Sequence, residues 1–106
     1  MSTEAFACTL TGAEMPERLA QIAVLGRRLH SSVLSDRRAV LRFRADDDTR
    51  ARATAFVAAE SECCSFLRME LRDEPDAVVL TVDGPEGAEP IVRELVAALT
   101  PAEQAR

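Results

Sequence analysis

Phe66-Leu67-Arg68-Met69-Glu70-Leu71-Arg72-Asp73-Glu74-Pro75-Asp76-Ala77-Val78-Val79-Leu80-Thr81-Val82-Asp83 is the stretch whose reading decides the fold. From Phe66 to Arg72 apolar and charged residues alternate, which predicts a strand burying Leu67, Met69 and Leu71 and exposing Arg68, Glu70 and Arg72. Ala77 to Asp83 reads as a further strand. Glu74-Pro75-Asp76 supplies a turn between them, so the two strands should form a hairpin.

Upstream, Arg38 to Arg44 alternates in the same way, with Ala39, Leu41 and Phe43 inward and Arg38, Arg42 and Arg44 outward. Asp46-Asp47-Asp48-Thr49 then offers a helix cap and an acidic first turn. The helix predicted there spans about Thr49 to Cys64 and carries Ala53, Phe56, Val57, Glu60 and Cys64 along one stripe. Nearer the start, Ala5 to Leu10 alternates and predicts a strand that points Phe6, Cys8 and Leu10 into the core. Thr11-Gly12-Ala13-Glu14 has capping-box spacing, and Pro16 suits a first helical turn. That helix is expected to run to about His30 or Val33, burying Met15, Leu19, Ile22, Leu29 and Val33, with Gly26 allowing a neighbour to approach closely. Downstream, Gly84-Pro85-Glu86-Gly87 breaks the chain before a last helix, about Ala88 to Leu99, burying Ile91, Leu95 and Leu99.

The expected order is β-α-β-α-β-β-α in one domain, residues 1–106, since the chain has near-average domain length and no Gly/Ser/Pro linker. The expected class is an α/β (α+β) two-layer sandwich with a four-stranded mixed sheet. Because the strands alternate, the three helices should lie mainly on one face, leaving the other polar or open to a second copy in a homodimer.

Hydrophobic residues make up 47% of the chain, yet with four Phe and no Trp or Tyr the packing falls to Leu, Val and Ala. A formal charge of -5 disfavours nucleic acid as a partner, whose phosphates demand a concentrated basic surface. Every basic side chain is Arg, which removes Schiff-base chemistry. The first residues lack a signal-peptide pattern and no apolar run approaches membrane-spanning length, so the expected setting is cytoplasmic and reducing, with no membrane partner.

In that setting the cysteines carry the chemical signal. Glu60-Ser61-Glu62-Cys63-Cys64-Ser65-Phe66-Leu67 places adjacent thiols beside carboxylates at a helix end, and Cys8 enters the interior from the first predicted strand. At 100° per residue Cys63 lies about 60° to one side of Glu60 and Cys64 about 40° to the other, so all three share a helix face. A disulfide between Cys63 and Cys64 is disfavoured, because their Cα atoms would sit ~3.8 Å apart. Thiolates are natural ligands of Zn(II), Cu(I), Hg(II) and arsenite-like species, and a Glu oxygen can complete a Zn tetrahedron. Cys8, Glu60, Cys63 and Cys64 are therefore the candidate metal or metalloid ligands. Adjacent cysteines on a regular helix diverge by about 100°, so both serve one ion only if the helix unwinds there. The bland alternative is that the thiols are small buried hydrophobes and that Glu60 pairs with an Arg.

A thiol redox enzyme, with Cys63 or Cys64 attacking and Cys8 resolving, is the second reading. A helix C-terminus and two carboxylates oppose thiolate formation there, with Arg68 available to compensate. His30 near the end of the first predicted helix is expected to meet free carbonyls rather than to serve a Cys-His pair. Arg42, Arg44, Arg68 and Arg72 would form a patch on the open sheet face, solvated or dimer-forming. A structural or dimerising module with inert cysteines is the third reading.

Ala7-Cys8-Thr9-Leu10-Thr11, Glu62-Cys63-Cys64-Ser65-Phe66-Leu67 and Gly84-Pro85-Glu86-Gly87 together resemble a largely uncharacterised family of small bacterial proteins, often encoded near metal regulators of the mercury-resistance type. The resemblance covers most of the chain. The middle motif is similar to the family's Glu-Cys-Cys-(Pro/Ala)-Phe-Leu, from which Ser65 departs. It brings no established activity, and by association it implies a metal or metalloid link.

Overall fold

The computed structural model describes residues 15–63 and 65–100, whose order is α1 (Met15–Gly26), β1 (Leu29–Ser35), β2 (Arg38–Phe43), α2 (Asp47–Cys63), β3 (Arg68–Glu74), β4 (Ala77–Asp83) and α3 (Glu89–Ala98). It is an α+β fold of three helices and a four-stranded sheet in the order β1-β2-β4-β3. Every neighbouring pair is antiparallel, so the expectation of a mixed sheet is corrected. The predicted strand Ala5–Leu10 lies outside the described residues.

The second correction concerns Leu29 to Ser35, expected as the tail of the first helix and found as an edge strand. The 22-29-33 spacing mimics a helical stripe, but Gly26 closes α1 and a two-residue turn at Asp36-Arg37 folds β1 onto β2. Asp36 has a φ of 52°, the left-handed region that tight hairpin turns use and that Asp tolerates. Of the residues expected inside, Ile22 and Leu29 are buried, whereas Leu19 is 55% exposed on α1 and Val33 64% exposed on β1. The buried face of α1 runs instead through Arg18, Ile22 and Leu25. Gly26 does allow the expected close approach: a Cβ there would stand 2.8 Å from the Leu99 carbonyl oxygen at the end of α3.

The hairpin that opened the reading is present, with Glu74 facing Ala77 across Pro75-Asp76 and β3 beginning two residues later than expected. β2 buries Ala39, Leu41 and Phe43. The register sets these against Val82, Leu80 and Val78 of β4, whose other side meets Met69 and Leu71 of β3. This face and the helices make the core, closed by Leu25, Phe56, Val92 and Leu99. α2 packs on β3 and β4, α3 on β1 and β2, and α1 on both other helices. Val92 of α3 and Leu99 at its C-cap are fully buried, with Ile91 and Leu95 only half so. α2 starts at Asp47 because Asp46 caps it, its Oδ1 accepting the Thr49 N–H at 2.7 Å.

Candidate functional site

Ala53, Phe56, Val57 and Glu60 recur at helical spacing and turn one face of α2 inward, as the periodicity predicts. Three of these are apolar, so the carboxylate of Glu60 enters a place where only a partner can hold it. Arg18, in the first turns of α1, supplies that partner: its Nη2 donates to Glu60 Oε2. Both residues are withdrawn from water, Arg18 being 7% exposed and Glu60 6%. The guanidinium carbon also stands 5.8 Å from the centroid of the Phe56 ring, one turn earlier on α2, within cation–π range.

The pair carries a debt of desolvation. Burial pushes the Glu60 carboxyl above its ordinary value, and the charge and hydrogen bond of Arg18 pull it back without overcoming burial. Arg18 Nε and Nη1 are buried with no hydrogen-bond partner among the described residues. Such a contact fixes one arrangement of α1 on α2 rather than adding much net stability.

Of the four candidate ligands, the structure therefore places Glu60 in the role of Arg partner. Cys63 is the last residue of α2, and Ser65 and Phe66 form a turn into β3. The side chain of Cys63, and all of Cys8 and Cys64, lie outside the described residues. Among the described residues no group of three or more His, Cys, Asp or Glu side chains stands close enough to hold a metal ion. His30 is exposed on β1, not at a helix C-terminus.

The sequence reading missed Arg18, although the signal was present. Arg18, Ile22 and Leu25 stand at i, i+4 and i+7, so an arginine shares the apolar face of its helix. A lone carboxylate on one apolar face and a lone guanidinium on another are natural partners.

The outward arginines are largely spoken for. Register puts Val79 of β4 between Arg42 and Arg72, and both arginines reach Glu74 at the end of β3. Arg42, then Arg72, hold the Glu74 carboxyl below its usual range. Arg44 binds Asp46 at 2.6 Å, and Arg38 approaches Asp83 at 3.5 Å. Arg68 makes no ion pair among the described residues; it borders a wide, open hollow of about 440 Å³ with Arg38, Phe66, Asp83, Gly84 and Pro85. Apart from Arg68 these arginines are neutralised by neighbouring carboxylates, and they do not converge on a ligand.

Compared with protein-family models, curated proteins and solved structures, the chain matches none.

Proposed function

We propose that this chain binds one soft metal or metalloid ion through the thiolates of Cys8, Cys63 and Cys64, in a buffering, sensing or sequestering role. The observation that carries the reading is the Arg18–Glu60 pair, which fastens the first turns of α1 to the last turns of α2, the helix that ends at Cys63. Cys8 lies seven residues before Met15, where α1 begins, so an extended chain keeps it within about 25 Å of that end. Glu60 then serves as the docking point for α1, and the sulfurs alone make a trigonal set suited to arsenite, Hg(II) or Cu(I), with Zn(II) needing a further ligand. In this reading the helices share the face of Leu41 and Leu80 in a two-layer sandwich, and the working environment is cytoplasmic and reducing. No helix among the described residues is long and apolar enough to cross a membrane.

A specific observation favours one rival: Glu60 is already matched by Arg18 and needs no ion, as a structural module with inert cysteines would have it. The readings separate on titrating the reduced protein with Zn(II), arsenite and Hg(II), with native mass and free-thiol count as readouts. Uptake of one ion with loss of three thiols, abolished in Cys8→Ser, is the expected result. Three thiols that neither bind nor react would overturn it in favour of the structural module. Fast oxidation to a Cys8-linked disulfide without metal uptake would overturn it in favour of a thiol redox enzyme.

A further inference from the structure

The two edges of the sheet differ in chemistry. β3 reads Arg-Met-Glu-Leu-Arg-Asp-Glu, with charges at five of seven positions, which discourages another strand from adding to it. β1 reads Leu-His-Ser-Ser-Val-Leu-Ser, with no Asp, Glu, Lys, Arg or Pro. Among the described residues nothing lies beyond β1 on its outer side. Gly84 N–H donates to Arg37 O at 2.9 Å, so odd-numbered residues of β2 bond towards β4 and even-numbered ones towards β1. Ser31, Val33 and Ser35, which face Arg42, Val40 and Arg38, therefore spend their backbone groups on β2. Ser32 and Leu34 turn their N–H and C=O to the outer edge, which no described strand occupies. Val33 and Leu34 are 64% and 38% exposed there.

We infer that two copies of this chain join antiparallel through their β1 edges, forming a continuous eight-stranded sheet across a two-fold axis at Val33. A two-fold axis perpendicular to the sheet keeps each face on its own side, so facing residue numbers add to an even total. With the axis at Val33, its side chain meets the same side chain of the second copy in a non-hydrogen-bonded pair, the closer of the two pair types. Ser31 then faces Ser35, and Ser32 exchanges backbone hydrogen bonds with Leu34. No like charges meet between residues 31 and 35. An axis at Ser32 would instead set Val33 against Ser31 and leave both valines half wet. Five paired residues a side bury little area, which makes the association reversible and concentration-dependent.

The test is the mass of the full-length protein by sedimentation from low micromolar to near-millimolar concentration. Wild type should shift from monomer to dimer. Val33→Lys, at an exposed position, should weaken the dimer at least about tenfold by opposing two like charges, with an unchanged circular dichroism spectrum. Ser32→Pro, which removes an outward donor, should act likewise, and Arg68→Glu on the open sheet face should have no effect. Val33→Cys under mild oxidation should give an interchain disulfide mapped by mass spectrometry to residue 33 on both chains, the Cα separation of about 4.5 Å being within disulfide range. A wild type that stays monomeric, as it would if residues 1–14 cover this edge, overturns the inference. So does a dimer indifferent to Val33→Lys and lost in Arg68→Glu.

Discussion

Arg18 and Glu60 form a contact in which the loss of either partner matters more than the loss of both. Arg18→Met leaves a buried carboxylate without its cation and should lower stability by about 3 kcal/mol in urea unfolding. Arg18→Met combined with Glu60→Leu should recover most of that loss, since apolar groups of similar volume need no desolvation. The raised carboxyl of Glu60 adds a pH signature. A folded-state pKa above the unfolded one gives stability that is full below the ordinary glutamate value and is lost as pH rises through the raised value. Wild type should therefore gain stability relative to Glu60→Gln when urea unfolding is moved from pH 7.5 to pH 4.5. A difference between the two proteins that stays constant with pH would contradict the assignment.

At the scale of elements, the junction of α1 and α3 turns on Gly26. A methyl group there meets the Leu99 carbonyl oxygen at 2.8 Å, and a backbone atom cannot swing aside, so Gly26→Ala should cost about 1–3 kcal/mol in thermal or urea unfolding. The same glycine shows why β1 was illegible. Its stop signal competed with Leu29 and Val33, which prolong a helical stripe by spacing alone, and no tertiary information was at hand to say that Val33 would face water. β2, the β3–β4 hairpin and α3 were readable because alternation, a two-residue turn and a Gly/Pro break each point to one structure. The antiparallel pairing of β2 with β4 was hidden for a different reason: β3 and β2 are not neighbours, and which strand fills the gap between them is not a local property. At the candidate site, periodicity put Glu60 inside, but it took the packing of α1 on α2 to identify its partner.

For the whole molecule, electrostatics tie the termini of elements together more than they drive folding. Asp46 is drawn down to about 2, first by the Thr49 amide and then by Arg44, so the cap of α2 stays ionised far into acid. The exposed Arg–Glu and Arg–Asp pairs on the open sheet face are screened by salt and contribute modestly. Cohesion rests on the apolar layer between sheet and helices, and that layer depends on where β4 sits. β4 lies between β2 and β3, buried from Ala77 to Val82, yet among the described strands it is the last to be made. While the ribosome is still short of residue 77, β2 has an unfilled flank, and Leu41 and Phe43 lack their β4 neighbours Leu80 and Val78. The nascent chain must wait, loosely collapsed, until its central strand arrives and zips the two hairpins into one sheet. A chain ended after Asp76 should accordingly fail to unfold cooperatively and should partition into aggregates, whereas the full chain gives a single transition. Synthesis order thus leaves the closing of the apolar layer to the arrival of its central strand.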